Sequence, residues 1–260
     1  MNNRQKVEAM ELDFTGKSVV VTGAGSGIGR AIAIGFARKG ASVLASDINE
    51  ANLLLLQQEL ALEQIKVEIK ACNVSVQQEV ADLFNSSFLD RGVDVLVHSA
   101  GLTYFKKFTE TSADEYRTLI ETNLSGTYYC LQETVSKMKQ HQIAGSIIVI
   151  SSINAHRPLP GQAVYTSTKA AIESLCQSLA VEVAPLQIRV NCLAPGAVNT
   201  NLSKVAMTEE SKLSAGRNIP YGRIGEPEDM VGTALFLASS LSEYMTGASL
   251  IIDGGLILKR

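Results

Sequence analysis

Short runs of branched apolar residues alternate along most of the chain with longer amphipathic stretches, and no other property restricts the fold so severely. Lys17 to Val21, Ser42 to Ser46, Val67 to Ala71 and Val93 to Val97 read as strands, with helical periodicity over Ile28 to Arg38, Glu50 to Leu62 and Val76 to Leu89 between them. The rhythm continues with one long helical stretch at Ala113 to Gln140, a strand at Ser146 to Ile150 and a helix from Gln162 to Ala184 that Pro185 closes. Ile188 to Leu193 is a strand, Pro227 to Leu237 a helix and Ser249 to Ile252 a last strand. Strands that are largely apolar are covered on both faces, so the pattern predicts an α/β domain with a parallel sheet between two helical layers.

No linker or internal repeat divides the 260 residues. One domain is expected over residues 14–260, behind a polar N-terminal extension at residues 1–13. From about residue 194 to 225 the pattern lapses into a stretch punctuated by Pro195, Gly196, Gly216, Pro220, Gly222 and Gly225. A segment that long inside a compact domain is expected to be a substrate loop.

With 46% hydrophobic and 19% charged residues the chain has ample core, and at a net charge of −3 its scattered basic residues make no footprint for nucleic acid. Small-molecule chemistry is favoured. Cys72, Cys130, Cys176 and Cys192 lack zinc or C-x-x-C spacing, and His98, His141 and His156 are not at ligand spacing, so free thiols in a reducing compartment and no metal are expected. The N-terminus lacks the apolar core of a signal peptide, and no run approaches the roughly 20 apolar residues of a membrane span. The expectation is a cytoplasmic protein with neither membrane nor nucleic-acid partners.

Directly after the first strand comes Thr22-Gly23-Ala24-Gly25-Ser26-Gly27-Ile28-Gly29, and then a helix. Glycines let the backbone turn tightly against a pyrophosphate, and the helix N-terminus supplies amide donors and a favourable dipole. Asp47 ends the second strand 18 residues after Gly29, near the spacing of about 20 expected for an acid that binds the adenosine ribose. Such a carboxylate accepts from the ribose hydroxyls of NAD and repels the extra phosphate of NADP, so NAD is the expected cofactor. The competing role for Asp47 is to cap the next helix.

The stretch SINAHRPLPGQAVYTSTK, Ser152 to Lys169, sets a hydroxyl, a phenol and an amine in one region. Tyr165 and Lys169 are four residues apart and share a helix face. A phenol of pKa about 10 is a poor catalyst at neutral pH, and a nearby ammonium lowers that value.

With these motifs together the chain resembles the short-chain dehydrogenase/reductases of the shorter, non-extended type, over residues 14–256. The family's T-G-x-x-x-G-x-G is matched by Thr22, Gly23, Gly27 and Gly29, and its catalytic serine, 13 residues before the tyrosine, by Ser152. Tyr165, Lys169 and Asn123 complete the tetrad. Pro195-Gly196-Ala197-Val198-Asn199-Thr200 is similar to the segment that holds the nicotinamide, and Asp253-Gly254-Gly255 to the family's ending. The resemblance implies a single doubly wound Rossmann-type domain, a mostly parallel seven-stranded sheet with helices on both faces. It implies a cofactor site at Gly23, Ser26, Gly27, Ile28, Gly29, Asp47, Asn73, Val74, Ala100, Gly101, Tyr165, Lys169, Pro195, Gly196, Val198 and Thr200.

Two positions depart from the family. His98-Ser99-Ala100-Gly101 stands where two asparagines usually precede Ala-Gly, and His98 is expected to be a satisfied strand-end histidine rather than a catalyst. Asn73 replaces the aspartate that receives the adenine amino group, and its amide oxygen can accept the same bond.

By the resemblance, Tyr165 exchanges a proton with the substrate oxygen, Lys169 lowers the phenol pKa and bonds the nicotinamide ribose, Ser152 positions the substrate oxygen and Asn123 holds a water. Ser152, Asn154, His156, Gln162 and Tyr165 are the expected substrate contacts, with Tyr104 and Asn201 as further candidates for hydroxyl groups. The expected reaction is NAD-linked hydride transfer to or from a secondary alcohol or ketone, a polyol or sugar. A 3-oxoacyl thioester reductase is the alternative enzyme, and a non-catalytic NAD-binding regulator or scaffold the alternative from another class. The resemblance also implies a homotetramer. Small and apolar residues on more than one side of the Gln162 to Ala184 helix agree with that.

Overall fold

The computed structural model describes residues 12–200 and 216–259. Seven strands form one sheet: β1 (Ser18–Thr22), β2 (Ser42–Asp47), β3 (Glu68–Ala71), β4 (Val95–His98), β5 (Ser146–Ile150), β6 (Arg189–Pro195) and β7 (Ser249–Ile252). They lie in the order β3-β2-β1-β4-β5-β6-β7, and every neighbouring pair is parallel. The helices between them are α1 (Gly27–Arg38), α2 (Glu50–Leu62), α3 (Gln77–Phe84), α4 (Ala113–Leu119), α5 (Gly126–Gln140), α6 (Ala163–Val183) and α7 (Val231–Ala238).

Successive strand residues point to opposite faces, so each apolar strand feeds two cores. In β1, Val19 and Val21 join one cluster with Ile32 and Phe36 of α1, Leu53 and Leu56 of α2 and Leu235 of α7. Val20 joins the other, with Leu83 and Phe84 of α3, Cys130 and Met138 of α5 and Ile172 and Cys176 of α6. Each fully buried Leu or Phe contributes roughly 1.5–3 kcal/mol. This two-sided burial is why the strands are not polar on one face, and the doubly wound domain follows.

Several elements differ in detail from the sequence expectation. The Val76 to Leu89 helix stops at Phe84, and Ser86 starts a separate 3₁₀ turn, Ser87–Leu89, by accepting from Phe88 N. The long helix Ala113 to Gln140 is helical throughout, yet it carries a π-helical turn at Ile120–Ser125 between α4 and α5. Pro185 lies in a 3₁₀ turn after α6, and Pro227 opens one before α7. The N-terminal extension falls almost wholly outside the described residues, as does much of the expected substrate loop, including Asn201.

β1 pairs with both β2 and β4, so the chain's crossovers part there to opposite faces of the sheet. In open parallel sheets the crevice at such a switch point, beyond the carboxyl ends of the strands, is where ligands bind.

Candidate active site

The carboxyl ends of β1, β2, β4, β5 and β6 bring the candidate residues to one edge. Thr22 and Gly23 end β1, Asp47 ends β2, His98 ends β4, Ser152 follows β5 and Pro195 ends β6. The glycine loop packs tightly there. A Cβ on Gly29 would lie 2.2 Å from the Gly23 carbonyl oxygen, and one on Gly23, at φ +68°, 2.7 Å from Ala100 N. Only glycine lets the first turn of α1 sit so low over β1.

Ser26 is the N-cap of α1 but makes no side-chain cap bond, so the helix's first amides are not satisfied from within the loop. Beside them is a hollow of about 160 Å³ lined by Gly27, Arg30, Ala31, Asn199, Thr200, Pro227 and Glu228. Helix-end donors next to open space suit a phosphate, the part of a dinucleotide that belongs at this helix end. Asp47 Oδ2 accepts from Gly25 N at 3.0 Å and Oδ1 from Asn49 N at 2.9 Å, which aims the carboxylate at the loop. Asn49, not Asp47, caps α2, accepting from Asn52 N at 3.1 Å. The capping role is thereby excluded for Asp47.

The remaining cofactor candidates line the same edge. Val74 is buried, with its side chain and carbonyl against Gly126 at the start of α5. Asn73 Oδ1 accepts from Ser75 N at 3.1 Å and Ser75 Oγ at 2.8 Å, so the oxygen expected to receive adenine already serves an Asx turn. Gly196 N donates to Ile252 O at 2.9 Å, and Val198 bridges Gly225, which ties the Pro195–Thr200 segment to β7 and to the chain before α7. Ile28 lies in the first turn of α1.

Among the tetrad candidates, burial lifts the Tyr165 phenol above its ordinary value, and the Ser152 hydroxyl beside it opposes that rise without cancelling it. Lys169 Nζ donates to Ile150 O at 2.8 Å and stands over the Tyr165 ring, 5.7 Å from its centroid. Burial itself takes Lys169 down to about 8, opposed by Cys192, Cys176 and Glu173. An amine near that value is poised to lose its proton in the weakly alkaline range.

Asn123 sits inside the π-helical turn, 1% exposed. Its Oδ1 accepts from Leu102 N at 2.9 Å, and its Nδ2 donates to Leu102 O at 2.9 Å and Thr168 Oγ1 at 3.2 Å. The side chain thus joins the segment after Gly101 to the helix bearing Tyr165. Gly101 lies between Asn123 and Lys169: a Cβ there would be 3.2 Å from Asn123 Oδ1 and 3.8 Å from Lys169 Nζ.

The expected substrate contacts turn out to be engaged within the protein. Ser152 Oγ accepts from Asn154 N at 3.1 Å, Asn154 Nδ2 donates to Gln162 Oε1 at 2.6 Å, and Gln162 Nε2 donates to Thr103 Oγ1 at 3.0 Å. Asn154 and Gln162 are buried, and this pairing gives their amides partners within the protein. His156 turns to α6, its Nε2 3.0 Å from Glu173 Oε2. Tyr104 shares a crevice with Gln162 and Tyr165. Thr103, Thr168 and Glu173 were not foreseen; Glu173 had a signal in the sequence, an acid four residues after Lys169.

His98 is not the satisfied histidine expected. Nδ1 is 2.8 Å from Thr22 Oγ1, but the buried Nε2 has no partner among the described residues. Asparagine's shorter amide leaves no such distal nitrogen. Among the described residues no group of three or more His, Cys, Asp or Glu could hold a metal, and no helix is long and apolar enough to cross a membrane.

A family model described as enoyl-(acyl carrier protein) reductase matches residues 23–257. L-rhamnose 1-dehydrogenase (NAD(P)(+)) of Azotobacter vinelandii is 38% identical over 250 residues, covering 93% of this chain and 97% of the relative. 3-Oxoacyl-[acyl-carrier-protein] reductase FabG of Chlamydia pneumoniae is 39% identical over 252 residues, covering 95% and 99%. Among solved structures, a short-chain type dehydrogenase/reductase from Mycobacterium marinum superposes with a TM-score of 0.87 at 31% identity, covering 94% of this chain and 97% of the other.

Proposed function

The chain belongs to the short-chain dehydrogenase/reductase family, an NAD(P)-dependent oxidoreductase acting on CH–OH groups, and from that premise we propose that it interconverts a secondary alcohol and a carbonyl on a sugar or polyol, with NAD. The observation that carries this reading is the meeting of Ser152, Tyr165 and Lys169 beside the glycine loop at one edge of the sheet. Bound nicotinamide supplies or takes up the hydride. Tyr165 gives its hydroxyl proton to the substrate oxygen on reduction and takes one on oxidation. Ser152 Oγ, beside that hydroxyl, holds the substrate oxygen at the same point and stabilises its developing charge. Lys169 presents a positive charge to the ring, and Asn123 keeps α6 and the Leu102 segment in place.

NAD is favoured by Asp47, whose carboxylate faces the loop, while Arg30 of α1 is ion-paired with Glu59 of α2. The L-rhamnose relative and the polar character of the residues after Gly101 and Ser152 support a sugar. The FabG relative supports the second reading, a 3-oxoacyl thioester reductase. A binder without turnover has no use for Asn123, Ser152, Tyr165 and Lys169 together. Residues 14–260 are read as one catalytic domain with its substrate loop near 194–225, assembled as a homotetramer. A cytoplasmic location accords with four buried cysteines, none in a disulfide.

The test is initial-rate assay of purified protein on aldoses, polyols and a 3-oxoacyl thioester with NAD and NADP, alongside Tyr165→Phe. The expected result is NAD-linked turnover of a sugar that falls by about 10²–10⁴-fold in the variant, the usual size of a general acid–base contribution. Near-wild-type turnover in Tyr165→Phe overturns the mechanism. Preference for NADP overturns the cofactor reading, and preference for the thioester the substrate reading.

A further inference from the structure

Glu173 lies on α6 four residues beyond Lys169 and eight beyond Tyr165, so the three side chains fall along one stripe of the helix. It is 6% exposed, and a carboxylate so buried is costly unless something opposes its charge. Its Oε2 meets His156 Nε2 at 3.0 Å, whereas its buried Oε1 has no partner among the described residues. His156 belongs to the segment that leaves Ser152. One buried acid therefore touches the segment carrying the serine and sits a turn below the lysine.

We propose that Glu173 is a positioning residue for the proton-handling pair: its buried negative charge keeps Lys169 charged, and its bond to His156 holds the Ser152–Gln162 segment against α6. The titratable groups facing Lys169 are Tyr165, Glu173 and Cys176 from its own helix, Cys192 from β6 and His98 from β4. The groups facing Glu173 are His156, Lys169 and Cys176. Of all these, a carboxylic acid is the type that ordinarily bears negative charge at neutral pH, while Cys176 is pushed well above the usual thiol range, first by its bond to Cys192 and then by burial. Burial drives Lys169 towards neutrality, and Glu173 is among the groups that push the other way. An opposite charge in a desolvated site favours the charged form.

The proposal rests on the reading of Tyr165 and Lys169 as the proton-handling pair, and two measurements separate its failure from the failure of that reading. The first is competitive acetylation of Lys169 in cofactor-free protein across pH, read by peptide mass; the second is the pH profile of kcat/KM for alcohol oxidation. In E173Q, and in E173L as the second charge-removing variant, both midpoints are expected to move to lower pH by about one unit. H156N keeps the carboxylate and is expected to raise KM while leaving both midpoints in place. Midpoints in E173Q and E173L that coincide with wild type overturn the proposal, as does an H156N midpoint shifted as far as that of E173Q. Absence of turnover in wild type, or full turnover in Tyr165→Phe, overturns the functional reading instead, and the acetylation midpoint still decides the role of Glu173.

Discussion

His98 occupies a place where a proton is poorly tolerated. The ring is 1% exposed at the end of a central strand, and burial, with the Lys169 charge as a smaller contribution, takes its pKa from 6.5 down to about 3. The folded protein therefore keeps it neutral. Above pH 6.5 neither folded nor unfolded chain binds the proton, and nothing is lost; as pH falls from there towards 3, the unfolded chain takes up a proton that the folded one refuses. Stability drops through that window, by up to roughly 3 kcal/mol by about pH 4. The check is the urea midpoint at about pH 7 and about pH 4 for wild type and His98→Asn, the wild type being expected to lose more. Equal losses would show that the acid sensitivity lies elsewhere. The departure at this position was plain in the sequence, but the orphaned Nε2 was not, because it depends on how an imidazole meets Thr22 of the neighbouring strand.

The π-helical turn at Ile120–Ser125 is the element that gives Asn123 its aim. Hydrophobic periodicity resolves which face of a helix is buried, not whether one turn contains an extra residue, so the stretch read as uniform. From the first turn of α5 the Thr127 hydroxyl donates to the Asn123 carbonyl at 2.5 Å, both groups buried. Thr127→Val keeps the shape and removes that donor, and is expected to cost about 0.5–1.5 kcal/mol, the usual net worth of one hydrogen bond. Because Asn123 also bonds Leu102 and Thr168, kcat is expected to fall with stability. Thermal denaturation and kcat together test this, and an unchanged melting temperature would refute it. The partner of His156 is hidden from the sequence for a related reason: Glu173 lies 17 residues away on a different element.

At the scale of the molecule, the alternation of strands and helices was enough to foresee a covered parallel sheet, since strands apolar throughout admit little else. What alternation does not carry is anything beyond a single copy. Among the described residues β7 ends the sheet, pairing with β6 on one side only, and its Ile251 is 36% exposed. Near it Leu258 is 82% exposed, and on α6 Val181 is 78% exposed. An open edge strand with an apolar side chain invites aggregation unless another chain covers it, and a second apolar surface on α6 calls for a second neighbour. In the proposed homotetramer each of these two surfaces pairs with its own copy, an arrangement with dihedral symmetry. Ile251→Lys and Val181→Lys should each disrupt one contact, so each variant is expected to sediment as a dimer across a concentration series and the double variant as a monomer. Wild-type protein that sediments as a monomer throughout the series would rule out the tetramer, and a tetrameric double variant would rule out these two surfaces.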